Sequence, residues 1–191
     1  MKKNTVRVLF GIIIILTGIG VVAGINVGEK ANGFRLQAVR SGKAVSLKEM
    51  KGHPTLVVFW ATWCTPCKRE IPILKKLQKD YGPKGLKILA VAINTRENKQ
   101  EVLNFINYVS IPYTVLWDQK NVVSIDYAVG TIPTALLIDS KGVIKYRGTA
   151  LNWGFKNELD KLFQPDKGKS AVKPDLEKKK MSTEKAAGSK V

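Results

Sequence analysis

Residues 55–67 read T-L-V-V-F-W-A-T-W-C-T-P-C, an apolar run that turns abruptly into a pair of thiols. Thr55 to Trp60 is a continuous run dominated by β-branched and aromatic side chains, the pattern of a central strand buried on both faces. Cys64 and Cys67, the only cysteines in 191 residues, follow directly. Beyond them Ile71, Leu74, Leu77 and Tyr81 recur at helical spacing, with Lys68, Arg69, Lys75, Lys76 and Lys79 on the other face. Pro66 suits the opening turn of that helix, where no N–H is needed, and Pro72 inside it is expected to kink it. The thiols therefore sit where a buried strand becomes an amphipathic helix.

The flanking elements follow from the same patterns. Upstream, Phe34, Leu36 and Ala38 alternate with polar residues and Ser41-Gly42-Lys43 supplies a turn, which predicts a short N-terminal hairpin. Ser46-Leu47-Lys48-Glu49 has capping-box spacing and predicts one helical turn. Downstream, 86–93 reads as a second strand and Val102, Phe105, Ile106 and Val109 mark a second helix, so strand, crossover helix and strand make a parallel unit. Thr114 to Trp117 reads as a short edge segment and 122–127 as a short helix. Strands 134–138 and 143–146 are joined by Asp139-Ser140-Lys141-Gly142, and Phe155, Leu159, Leu162 and Phe163 mark a closing helix. A parallel β-α-β half followed by an antiparallel hairpin and a helix is the plan of a thioredoxin fold, an α/β domain with a central mixed sheet flanked by helices.

The thiolate is the nucleophile in disulfide exchange, and it is scarce for an ordinary cysteine with a pKa of about 8.5. Just before a helix, unpaired N–H groups and the positive end of the dipole favour a negative sulfur, which singles out Cys64 as the accessible attacking group. Cys67, one turn in, is expected to be shielded. Two intervening residues, Thr65 and Pro66, bring both sulfurs within bonding distance.

Which compartment the thiols face is a question for the N-terminus. Lys2, Lys3 and Arg7 precede a run from Val8 to Ile25 that carries no charge. As a helix it spans roughly 27 Å, close to the hydrocarbon thickness of a bilayer. The basic flank predicts residues 1–7 inside, a single-pass anchor over 8–27, and the rest on the outer side of the cytoplasmic membrane. A cleaved signal peptide is the rival reading, but the run is longer than the usual apolar region of one and no clear A-x-A follows. Residues 34–164 have the size of one ordinary domain. The net charge is +17, yet the lysines are scattered among acids and apolar residues, which gives no nucleic-acid motif and reads as a soluble surface. Residues 165–191, rich in Lys, Ser and Gly and poor in large apolar side chains, are expected to be a basic disordered tail.

V-V-F-W-A-T-W-C-T-P-C-K-R-E-I-P at 57–72 resembles the active-site segment of the TlpA/ResA-type thioredoxin-like proteins, which are membrane-anchored thiol-disulfide oxidoreductases outside the cytoplasmic membrane. G-T-I-P-T-A-L-L-I-D-S-K-G at 130–142 resembles that family's second signature, and the similarity extends over 34–163. The resemblance implies that Pro133 is a cis-proline facing the active-site disulfide, with the backbone of Ile132 offered to a substrate segment. It implies that Glu70, three residues after Cys67, shuttles a proton to and from that sulfur, whereas ordinary thioredoxins use a buried Asp where this chain has Val58. Trp63 would cover Cys64, and Trp60 would be simple core. His53, the sole histidine, reads as a surface loop residue. The implied activity is reduction of a specific protein disulfide, in the family usually the C-x-x-C-H of an apocytochrome c, with electrons from a membrane thiol transporter. No cofactor and no metal is called for.

Two other readings stay open on the residues alone. C-T-P-C does not set the reduction potential, so an oxidase or isomerase remains compatible. A copper metallochaperone would use Cys64, Cys67 and a third ligand such as His53 or Met50, since soft thiolates suit Cu(I).

Overall fold

All six residues of the strand β3 (Thr55–Trp60) are buried, and the rest of the sheet is laid against it. The computed structural model describes residues 25–93 and 96–164. On one side β3 pairs in parallel with β4 (Lys87–Ile93), and on the other it pairs antiparallel with β6 (Thr134–Ile138). Beyond them lie β1 (Arg35–Ala38), β2 (Ala44–Ser46), β5 (Thr114–Asp118) and β7 (Ile144–Gly148), in the seven-stranded order β2-β1-β5-β4-β3-β6-β7. The helices are α1 (Thr65–Tyr81), α2 (Lys99–Tyr108), α3 (Val122–Asp126) and α4 (Trp153–Phe163). A 3-10 turn, Leu47–Met50, follows β2, and the Ser46 hydroxyl accepts from the Lys48 amide at its start.

The alternation of β3 divides the core in two. Leu56, Val58 and Trp60 join Ile71, Leu74 and Leu77 of α1, Ile106 of α2 and Leu159 of α4. Val57 and Phe59 join Phe34, Leu116, Leu136 and Tyr127 on the opposite face. The chain steps twice in one direction across the sheet, from β3 to β4 to β5. Right-handed crossovers therefore put α1 and α2 on the same face. The return to β6 passes α3, whose Val123 belongs to the other face. At the C-terminal end of β3 the neighbours thus lead in opposite directions, the crevice at which open α/β sheets bind ligands.

Two expectations change. Thr114–Trp117 is not an edge: β5 lies between β4 and β1, because Gln37 and Ala38 of the hairpin pair with Trp117 and Leu116 and cover it. The domain also begins before Phe34. Ile25 is only 5% exposed within the second core, and the amides of Gly28 and Ala31 donate to the carbonyls of Ile144 and Gly142 at 2.8 and 2.9 Å. Among the described residues no helix is long and apolar enough to cross a membrane, and the expected anchor lies outside them except for 25–27. The tail 165–191 also lies outside the described residues.

Leu136 of β6 is fully buried opposite Val57. Leu136→Ala is expected to lower stability by about 2–5 kcal/mol, read as an earlier midpoint in urea unfolding.

Candidate active site

The chain leaves β3 through Ala61, Thr62 and Trp63 and enters α1 at Cys64, which is the helix N-cap. Cys64 has extended backbone angles, φ −76° and ψ 104°, and its carbonyl accepts from the Lys68 amide at 3.1 Å. In place of the usual capping oxygen stands a sulfur: the Cys67 N–H donates to Cys64 Sγ at 3.2 Å. Pro66 occupies the first helical turn, where its missing N–H costs nothing. Cys64 and Cys67 are joined by a disulfide of 2.09 Å, with their Cα atoms 5.3 Å apart.

The expected contrast between an accessible Cys64 and a shielded Cys67 is absent in this disulfide form. Both residues are only 4% exposed and both belong to the first core. The loop before β6 explains this. The Ile132–Pro133 bond is cis, and the Ile132 carbonyl oxygen lies 3.7 Å from Cys64 Sγ. Thr134 holds that loop by donating its hydroxyl to the Thr131 carbonyl at 2.6 Å.

Glu70 lies one helical turn after Cys67 and is 8% exposed. Its Oε1 accepts from the Leu151 amide at 2.9 Å, and its Oε2 is buried without a partner among the described residues. Burial pushes the carboxyl above its ordinary range, opposed in part by the Leu151 hydrogen bond. Two phenols feel it: Tyr113 and Tyr146 are pushed up by burial first and by the Glu70 charge second. Val58 is buried in the same core as both cysteines and carries no acid. Glu70 is thus the buried carboxyl on the helix that bears the thiols.

Residues that sequence reasoning missed brace the turn from the loop before α2. Glu97 is buried and accepts from the Thr62 amide at 3.1 Å and from the Thr62 hydroxyl. The Arg96 guanidinium lies over the ring of Trp63, 5.1 Å from its centroid, and Trp63 is 41% exposed. No local pattern marks either residue, because both act on a turn more than thirty positions away. Trp60 is buried core against Phe105, as expected. His53 and Met50 line a cavity with Thr55 and Ile138, at the opposite end of β3 from Cys64, so the copper ligand set is not brought together. Among the described residues no cluster of three His, Cys, Asp or Glu side chains could hold a metal ion.

A disulfide at a helix N-terminus, under the carbonyl before a cis-proline, is the arrangement for exchange with another disulfide or dithiol. Residues 27–147 match the AhpC/TSA family. The chain is 37% identical over 140 residues to the thioredoxin-like protein YneN of Bacillus subtilis, covering 72% of this chain and 81% of that one. It is 33% identical over 156 residues to the thiol-disulfide oxidoreductase ResA of Bacillus anthracis, covering 75% and 87%. The chain belongs to the thioredoxin-like thiol-disulfide oxidoreductases of this family. Among solved structures, a thioredoxin-family thiol:disulfide interchange protein of Chlorobium tepidum superposes with a TM-score of 0.62 at 26% identity, covering 72% of this chain and 97% of that one. StoA of Bacillus subtilis gives 0.58 at 26% identity, covering 69% and 97%. The enzyme is therefore a thiol-disulfide oxidoreductase of the ResA type.

Because the folded Glu70 carboxyl holds its proton more tightly than an unfolded one, stability falls as pH rises from the ordinary value of 4.5 through the raised one. Glu70→Gln removes that decline. Thermal melts of the oxidised enzyme from acid to neutral pH are expected to show the variant's midpoint flat where the wild type's drops.

Proposed function

We propose that the enzyme is a membrane-anchored reductase acting outside the cytoplasmic membrane, and that its substrate is the C-x-x-C-H disulfide of an apocytochrome c awaiting haem. The observation that carries this reading is the Cys64–Cys67 bond at the α1 N-terminus, 3.7 Å below the Ile132 carbonyl. In the dithiol form the Cys64 thiolate attacks one sulfur of the substrate disulfide. A mixed disulfide forms and a substrate thiolate leaves. The Cys67 thiolate then attacks Cys64 Sγ, the mixed disulfide breaks, and the second substrate thiol departs. The substrate gains two electrons and two protons, and the enzyme is left as the Cys64–Cys67 disulfide. A membrane thiol transporter returns the electrons.

The other residues serve this exchange. Thr65 and Pro66 set the spacing of the sulfurs. Glu70, a buried acid with one free oxygen, takes the Cys67 proton before attack and returns it after re-reduction. Ile132 presents its backbone to an extended substrate segment beside Pro133, and Trp63 flanks that segment. The charge-free run after Lys2, Lys3 and Arg7 supports the anchor. Ile25 packs in the domain, so the anchor proposed here is shortened from 8–27 to end before it.

Cys67→Ala leaves the mixed disulfide without its resolving thiol. Full-length variant expressed in its own membranes is expected to accumulate covalent adducts that vanish with reductant on gels, and mass spectrometry of the trapped partners should find C-x-x-C-H proteins. Adducts with unrelated proteins alone would contradict the cytochrome assignment, and no adducts at all would contradict the reductase reading.

A further inference from the structure

At the end of the sheet opposite the disulfide, where β3 begins and β6 ends, a cavity of about 350 Å³ opens between the 3-10 turn and the turn that follows β6. Apolar Leu47 and Ile138 contribute to its lining, and Lys30, Lys48, Lys51 and Lys141 stand around it, all four exposed. Among the described residues none of these lysines is in an ion pair. Asp139, the carboxylate of the cavity, is already engaged: its Oδ1 accepts from the amides of Lys141 and Val143, and its Oδ2 lies 4.0 Å from the Lys145 ammonium. Glu49 of the 3-10 turn lines a different cavity. The Lys30 ammonium donates to the Lys141 carbonyl at 3.3 Å, which holds it at the rim without neutralising it. Charges gathered around one cavity repel across a screening length of about 8 Å, and an anion seated among them relieves that repulsion.

We propose that this cavity seats the phosphate headgroup of an anionic phospholipid and docks the domain on the membrane beside its anchor. The inference rests on the anchor reading above. Lys30 is six chain steps from position 24, so the rim is at most about 22 Å from the end of the proposed membrane segment even at full stretch. A cationic rim over apolar side chains fits a headgroup with the top of its acyl chain better than a free anion. The six residues of β3 hold the disulfide roughly 20 Å from this end of the sheet. Docking therefore turns the Cys64–Cys67 edge away from the bilayer, toward soluble substrates, and the domain leaves this seat to be re-reduced by the membrane transporter.

The test uses the full chain reconstituted in phosphatidylcholine vesicles, with or without phosphatidylglycerol, and treated with a water-soluble amine reagent. Peptide mass spectrometry reads labelling at Lys48, Lys51 and Lys141, with exposed Lys68 near the disulfide as reference. Phosphatidylglycerol is expected to lower labelling at the three by about fivefold, the order expected for one lysine at an anionic surface, and to spare Lys68. The triple change Lys48→Glu, Lys51→Glu and Lys141→Glu is expected to leave reduction of a soluble disulfide unchanged while the phosphatidylglycerol dependence of Lys30 labelling disappears. Equal labelling in both vesicles overturns the proposal, as does protection by inorganic phosphate alone. Alkaline carbonate reads the anchor separately. Release of the chain from native membranes would contradict the anchor, whereas unprotected lysines on a chain that stays bound would contradict only the headgroup seat.

Discussion

The chemistry of this enzyme depends on one contact, the Cys67 amide donating to the sulfur of Cys64 at the first turn of α1. A helix begins with N–H groups that its own carbonyls cannot reach, and here a sulfur receives one of them. The same contact sets the spacing of the pair, since the residue that donates the amide also carries the second thiol. What fixes the turn in space is β3, whose complete burial leaves the chain no freedom in where it emerges. Glu97 then ties Thr62 from the neighbouring loop, and the Ile132 carbonyl closes over the sulfur from the other side. Three separate segments thus converge on a few residues.

The acid of the site shows how function and stability oppose each other. A carboxyl with one oxygen buried and unpartnered costs stability once ionised, and the neighbouring phenols of Tyr113 and Tyr146 are themselves held neutral by burial and by its charge. Replacing Val58 by an acid would bury a further carboxyl in the core that holds both cysteines, at the cost of its desolvation. One buried acid on α1 therefore suffices, and it lies one helical turn from the thiol it is proposed to serve.

Much of this was legible in the sequence because it is periodic or local. The burial of β3 on both faces, the apolar stripe of α1 and the turn chemistry between β6 and β7 all follow from the pattern of apolar and turn residues. The fate of Thr114–Trp117 did not, because strand pairing with Gln37 and Ala38 is set by a hairpin nearly eighty residues away. The seating of residues 25–33 was not legible either, because their partners lie far along the chain, on β7, on the turn before it and at Asp126 and Tyr127. Glu97 and Arg96 carry no motif, and their roles exist only once the loop before α2 is folded against Thr62 and Trp63. The burial of Cys64 in the disulfide form likewise comes from a distant loop, not from its place at a helix start.

The most direct test asks whether the α1 N-terminus makes one sulfur the attacking group. The fully reduced enzyme would be treated with limiting iodoacetamide at neutral pH and the modified cysteine located by mass spectrometry. The account predicts that Cys64 is alkylated at least tenfold faster than Cys67, a difference of about 1.4 kcal/mol in activation. Equal rates, or faster reaction at Cys67, would contradict it.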